Sequence, residues 1–428
     1  MLPIMLCAKY HSMGEGKMKY IVVLGDGMAD YPVTELEGKT PLQVAKKPHL
    51  DALTRQGVLG LVRTVPEGMQ PGSDTANLSV LGYDPKTCYT GRSPLEAASM
   101  GIELQSDDMT FRCNLVTLSG DGAYEERIML DNSADEISTE EARPLIAELD
   151  RRFGHDGLRF YPGVAYRHLL VWQNGPQTWQ TTPPHDILDR PIASYLPQGP
   201  AAEKLVKLMK ESAALLEHHP VNQKRVAKGR KPANSIWIWG EGKKPSLPSF
   251  TAKYGLRGGV ISAVDLIKGI GVCTGLEVIN VEGATGYLET NYRGKADAAI
   301  NALQKGLDFV YIHIEAPDEC GHRQERENKI KAIEYIDESI IGPIKKAMDA
   351  AGQAYKMLVL PDHATPLALR THTDDPVPFV IYDSTNPLAG GPQSFDEQTA
   401  AQTGFVVEKG HTLMEIFLAP GRQEDVSN

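Results

Sequence analysis

The sequence predicts an α/β protein: a mostly parallel sheet sandwiched by helices, interrupted by an inserted α+β domain. Three observations predict it. Short apolar runs recur along the chain, each closed by a turn signal. Runs of that kind are strands buried on both faces of a parallel sheet. Amphipathic helical stretches alternate with them, as βαβ units require. Finally, the chain has 428 residues, more than the roughly 250–300 at which a single core stops growing, so two domains are expected.

The elements follow in order. Tyr20–Leu24 (YIVVL) ends in Gly25-Asp26-Gly27, and Phe309–Ile314 (FVYIHI) ends in Glu315-Ala316-Pro317-Asp318. Met357–Leu360 (MLVL) ends in Pro361-Asp362-His363, and Val377–Tyr382 (VPFVIY) is a fourth run. Helices are expected at Pro48–Gly57, at Lys295–Lys305 and as one long element at Glu327–Ala351, where Ile330, Ile333, Ile336 and Ile340 form one stripe. The middle of the chain is different. Short strands (FRCNLVTL, RHLLVW) flank a helix at Thr139–Arg152, and prolines punctuate residues 183–200. A charged helix at Glu203–His218 follows, then a basic, turn-like Asn222–Pro232. The first sheet is expected to resume at Ser235–Trp239. The resulting division is a tail at residues 1–17, a discontinuous domain at 18–107 and 198–428, and an inserted domain at 108–197.

Composition narrows the function. There are 44 Lys and Arg against 55 Asp and Glu, a net charge of −11. That balance argues against a nucleic-acid partner, which selects for a basic surplus. No apolar stretch approaches the roughly 18 residues of a membrane span, and the N-terminus lacks the basic start and cleavage pattern of a signal peptide. The five cysteines (Cys7, Cys88, Cys113, Cys273, Cys320) are odd in number and form no C-x-x-C, a pattern of reduced thiols in a cytoplasm.

The chemistry gathers at the strand ends, where open parallel sheets place their ligand groups. Asp26 follows one strand, Asp318 and His322 another, Asp362 and His363 a third, and His372 comes nine residues after His363. Asp318 and His322 are four apart and share one side of a helical turn. A lone Asp after a strand is commonly a cap or turn residue, but three strand ends carrying this pattern exceed what capping requires. Carboxylates mixed with imidazoles suit Mn²⁺ or Zn²⁺ better than Ca²⁺, and six such ligands suffice for two ions able to clamp a phosphoryl group. Ser73, in Pro71–Asn77, opens a helical run where backbone N–H groups favour an anion. It reads equally as a nucleophile and as a helix cap. No P-loop, complete Rossmann fingerprint or G-x-S-x-G elbow is present.

Long segments carry a resemblance. VVLGDGMADYP (22–32), PGSDTANLSVLGYDP (71–85), YTGRSPLEAASMGI (89–102), FRCNLVT (111–117), VEGATGYLETNYRGKADAA (281–299), IEAPDECGH (314–322), LPDHATP (360–366) and RTHTDDPVPF (370–379) resemble the archaeal-type cofactor-independent phosphoglycerate mutases of the alkaline phosphatase superfamily. The likeness runs from about residue 18 to 417 and implies an alkaline phosphatase-like fold with an inserted cap. It implies that Asp26, Ser73, Asp362 and His363 hold one divalent ion and Asp318, His322 and His372 the other, with Mn²⁺ ranked ahead of Zn²⁺ and Mg²⁺. His411 ranks below His372 as a ligand. The resemblance also implies that Ser73 carries the phosphoryl group between the 3- and 2-hydroxyls of glycerate without 2,3-bisphosphoglycerate, and that Lys253 assists catalysis.

The resemblance implies a small phosphorylated hydroxy acid as substrate, and Arg92, Arg112, Arg167, His185 and Asp186 are the candidates to bind it. HPVNQKR (219–225), ANSIWIWG (233–240), TPPHD (182–186) and VISAVDLIKGIG (260–271) are most similar to a bacterial subgroup proposed as homoserine kinases. Kinase activity is therefore the alternative, and plain phosphomonoesterase activity a further one.

Overall fold

The computed structural model describes residues 17–120 and 122–420. The expected tail lies outside them except for Lys17, whose ammonium stands 2.8 Å from Asp308. In chain order the strands are β1 (Lys19–Gly25), β2 (Val58–Val62), β3 (Met109–Leu118), β4 (Met129–Asp131), β5 (Leu158–Val164), β6 (Arg167–Trp172), β7 (Ser235–Lys243), β8 (Gly258–Ile261), β9 (Glu277–Val278), β10 (Phe309–Ile314), β11 (Tyr355–Leu360), β12 (Val377–Asp383) and β13 (Val406–Val407).

The chain divides into two compact units. The first comprises the described parts of Met1–Lys86, Ser249–Val264 and Gly275–Asn428. Its sheet runs β13-β2-β12-β11-β1-β10-β8-β9. Every pairing is parallel except those of β12, which runs antiparallel to β11 and β2. The centre is β11-β1-β10, with Ile21, Val23, Val310, Ile312, Met357 and Val359 buried under the helices Tyr292–Gln304, Arg326–Ile336 and Gly342–Ala350. Burial on both faces explains the near-continuous apolar runs.

The long helix expected at Glu327–Ala351 is interrupted by a π-turn at Asp337–Ile341. Pro343, the second residue of the next helical segment, has no N–H to continue the ladder.

The second unit is Thr87–Pro248 with Asp265–Thr274. It is larger than the insertion expected at 108–197, for two reasons. First, β7 does not resume the first sheet. It pairs antiparallel with β3, from Met109–Lys243 to Val116–Ser235, in the sheet that also holds β4, β6 and β5. Second, the helix Asp265–Cys273 packs on the helix Ser93–Ser99 so closely that a side chain at Gly269 would strike the Leu95 carbonyl. The basic stretch expected to be turn-like begins instead as a helix, Pro220–Ala227, with proline at its start and the Val221 N–H capped by His219 Nδ1 at 3.2 Å.

Candidate metal centre and cationic cluster

Three adjacent strands deliver the acidic residues. Asp26 directly follows β1, Asp318 lies four residues past β10, and Asp362 two past β11. Asp26 and Asp362 are fully buried, and Asp318 nearly so. Ser73 is the first residue of the helix Ser73–Val80, and the cap position falls to Gly72, which makes no side-chain cap. The reading of Ser73 as a helix cap therefore fails. Its Oγ lies instead 3.1 Å from His363 Nε2 and 3.3 Å from Asp26 Oδ2. Asp26, Asp362 and His363 offer donor atoms all within 4.8 Å of one another, as do Asp318, His363 and His372. His322 Nε2 stands beside two members of the second group, 3.2 Å from Asp318 Oδ2 and 2.9 Å from His372 Nε2.

The donor set fits divalent ions. His322 Nδ1 lies 2.9 Å from the Arg370 carbonyl, which can only accept, so Nδ1 carries a proton and Nε2 is the nitrogen that can offer a lone pair once the ring is neutral. Buried carboxylates packed this way need compensating positive charge or must hold protons. Without that charge, burial and the charges of Asp362 and Asp318 push Asp26 well above the usual carboxylate range. Burial and Asp318 push Glu315 up to about 8. Asp318 goes the other way: burial opposes ionisation, but the His322 and His372 imidazoles outweigh it. His322 rises in return to about 9.

A supporting layer was not read from the sequence. His313 Nε2 lies 2.9 Å from Asp26 Oδ2, and its Nδ1 lies 3.2 Å from Ser262 Oγ. Burial pushes His313 down to about 3, so the ring is neutral. Two residues earlier on β10, the Tyr311 hydroxyl donates to Asn77 Oδ1 at 2.6 Å. Asn77 Nδ2 donates at 2.8 Å both to Asp362 Oδ2 and to the Ser73 carbonyl. One signal was available: Tyr311 and His313 are polar residues at alternate positions of an apolar strand, and buried polar groups need partners. Glu315, whose Oε2 is buried without a hydrogen-bond partner, also groups with Asp26 and His313.

Two other candidates sit elsewhere in the first unit. The Lys253 ammonium bonds the Gly82 carbonyl and lies 4.8 Å from the Tyr83 ring centre. His411 lines a cavity of about 850 Å³ with Arg63, Lys86 and Lys409, and its Nδ1 is 3.9 Å from Asp84. It is not among the clustered ligand groups.

The second unit brings its cationic candidates together. Glu96 takes Arg92 Nε on one oxygen at 3.0 Å and Arg112 Nε on the other at 3.1 Å. The Arg112 guanidinium stacks 4.4 Å over Trp239, whose indole N–H donates to Asn114 Oδ1 at 3.0 Å. Arg167 is opposite Asn114 in register. The pKa of Arg112 is lowered by burial, with Glu96 opposing the shift and Arg92 and Arg167 adding to it. His185 packs edge-on against Trp239 with ring centres 5.5 Å apart, and Asp186 is 3.7 Å from its Nε2. Glu96 and Trp239 were missed because a charged helix face and a strand aromatic carry no distinctive pattern.

Comparison with known proteins decides the family. The chain is 55% identical over 401 residues to a Geobacter sulfurreducens protein named "Probable 2,3-bisphosphoglycerate-independent phosphoglycerate mutase", covering 94% of this chain and 100% of that one. The chain belongs to this family. The family's sequence pattern, 2,3-bisphosphoglycerate-independent phosphoglycerate mutase, matches residues 54–222. A family member from Methanothrix thermoacetophila is 50% identical over 402 residues, again 94% of this chain and 100% of the other. Among solved structures, a cofactor-independent phosphoglycerate mutase from Thermoplasma acidophilum aligns with a TM-score of 0.65 at 27% identity, covering 94% of this chain and 99% of that one. The PH0037 protein of Pyrococcus horikoshii aligns with a TM-score of 0.79 at 29% identity, covering 95% and 99%.

Three residues of the segments similar to the kinase subgroup make structural contacts. Asn222 Nδ2 ties the Leu216 and Ala233 carbonyls at 2.8 Å each. Fully buried Arg225 binds the Lys231 and Ala134 carbonyls and Glu141. The Trp237 indole N–H donates to the Thr182 carbonyl at 2.8 Å.

Proposed function

We propose that this protein interconverts 3-phosphoglycerate and 2-phosphoglycerate through a phosphoserine at Ser73. As a member of the cofactor-independent family it uses divalent metal and no bisphosphoglycerate. One observation carries the role of Ser73: its hydroxyl opens a helix 3.1 Å from His363 Nε2 and 3.3 Å from Asp26, free of the capping role that would otherwise account for it. We assign Asp26, Ser73, Asp362 and His363 to one ion and Asp318, His322 and His372 to the other, and take Mn²⁺ as the physiological metal. When bound, such ions supply positive charge for the phosphoryl oxygens and lower the pKa of the serine hydroxyl.

The chain's own groups do the rest. Ser73 Oγ gives up its proton and bonds to phosphorus as the bond from phosphorus to the C3 oxygen breaks, and that oxygen takes a proton. Glycerate then presents its 2-hydroxyl. That oxygen bonds to phosphorus, loses its proton and frees Ser73 Oγ, which regains one. Atoms and protons balance with no outside reagent. The helix N-terminus at Ser73 favours the anion at each stage, and Asn77 keeps that helix tied to Asp362.

Arg92, Arg112 and Arg167, with His185 and Asp186, are assigned to the substrate's carboxylate and hydroxyls. Lys253 is retained as a candidate catalytic cation. The homoserine kinase reading is not favoured: the similar proteins carry the mutase name, and three arginines suit a carboxylate without favouring an ammonium. Among the described residues no helix is long and apolar enough to cross a membrane, and we place the enzyme in the cytoplasm.

The test supplies 3-phosphoglycerate and Mn²⁺ and follows products by phosphorus NMR. We expect 2-phosphoglycerate without ATP, and no turnover from Ser73→Ala. O-phosphohomoserine from homoserine and ATP, with no mutase turnover, would overturn the assignment.

A further inference from the structure

Thr365 belongs to neither ligand set, yet its side chain touches one member of each. Its hydroxyl donates to Asp318 Oδ1 at 2.5 Å and lies 3.2 Å from His363 Nδ1. The residue is completely buried, so water cannot substitute for either contact. A hydroxyl has one proton to give. The shorter and directed contact, to Asp318 Oδ1, takes that proton, and the hydroxyl then meets His363 as an acceptor. His363 Nδ1 must therefore carry the ring proton. Its Nε2 is left with a lone pair, and that is the nitrogen standing 3.1 Å from Ser73 Oγ. Orientation of a ligand carboxylate and tautomer of a ligand imidazole are thus set by one oxygen atom.

The backbone leaves Thr365 no room to turn. Its carbonyl accepts the buried Lys329 ammonium at 2.8 Å, and its N–H donates to the Ala29 carbonyl at 3.3 Å. A side chain at Gly27 would collide with both the Thr365 hydroxyl and Asp318 Oδ1, and one at Gly321 would meet the Thr365 carbonyl at 2.5 Å. The two glycines and the lysine hold the hydroxyl where both ligands find it.

We propose that Thr365 is a positioning residue that couples the two ligand sets, so that its hydroxyl is required for tight binding of both ions. This rests on the reading of these residues as a two-ion centre.

The experiment titrates Mn²⁺ into the metal-free full-length chain by calorimetry, for wild type, Thr365→Val and Thr365→Ser. Valine keeps the shape and removes the hydroxyl; serine keeps the hydroxyl and removes the methyl. Outer partners of metal ligands are worth about 10–100-fold in affinity, so valine is expected to weaken both ions by about that factor. Serine should stay within a few-fold of wild type. A purely structural role predicts the reverse, with serine suffering for its lost methyl. Wild-type affinity for both ions in the valine variant, loss at one ion only, or serine as weak as valine each overturns the proposal.

A second measurement needs no variant to fold. Nitrogen-15 NMR of metal-free wild type should show His363 protonated at Nδ1, and protonation at Nε2 overturns the proposal. A wild-type chain that binds fewer than two ions sinks the two-ion reading itself, while the tautomer measurement still judges Thr365.

Discussion

Arg112 engages Glu96 through Nε alone and stacks on Trp239, a pose that fixes the plane of its guanidinium. Lysine at this position would keep the charge and lose both the fork and the stack. A hydrogen bond to a charged group is worth about 1.5–3 kcal/mol, so Arg112→Lys should raise KM for 3-phosphoglycerate about tenfold to a hundredfold. Hydrolysis of p-nitrophenyl phosphate, which has no carboxylate, should be unchanged in the same variant. Equal losses on both substrates would remove Arg112 from carboxylate recognition. The single-residue scale is also where the sequence spoke most unevenly. Asp26, Asp318 and Asp362 were legible because each follows an apolar strand, and chain connectivity alone carries them to one edge. Thr365, Asn77 and His313 were not. Their roles depend on partners 47, 285 and 287 residues away, and no local pattern distinguishes a threonine that orients a ligand from one that fills a core.

Among the elements, the π-turn at Asp337–Ile341 has a visible use. It presents the Asp337 carboxylate to the start of the helix Pro48–Arg55, where its oxygens accept the His49 N–H at 3.2 Å and the Leu50 N–H at 2.6 Å. The helix's own cap residue, Lys47, makes no side-chain cap, so a residue nearly 300 positions away satisfies its orphan donors. Asp337→Ala should therefore cost about 1–2 kcal/mol, the usual worth of a helix cap, measured by urea unfolding. An unchanged midpoint would show that water satisfies these donors equally well. The sequence supplied the strands here and misassigned one. β1, β10, β11 and β12 are continuous apolar runs, and burial on both faces makes them conspicuous. Ser235–Trp239 is just as apolar, but apolarity does not say which sheet a strand joins. Its pairing with β3 is a long-range choice, and it moved the unit boundary from residue 197 to 248.

For the whole molecule, the net charge of −11 has a local counterpart in the first unit, where Asp26, Asp318 and Asp362 are buried at one sheet edge. The metal-free chain answers this by holding protons. Asp26 stays protonated far above the ordinary range, Glu315 to about 8, and His322 keeps its proton to about 9. All three shifts are upward, and Glu315 and His322 carry protons at neutral pH that a divalent ion must displace or repel. The sign follows: binding releases protons, and affinity for Mn²⁺ must rise with pH until those groups have titrated, levelling off above about 9. Calorimetry at pH 7 in buffers of different ionisation enthalpy should show net proton release on Mn²⁺ binding. The metal-induced rise in melting temperature should shrink between pH 8 and pH 6, because stabilisation by a ligand follows its affinity for the folded state. A melting increment independent of pH over that range would mean that the buried carboxylates are already ionised and balanced by charge within the protein, and would remove the electrostatic case for two ions at this edge.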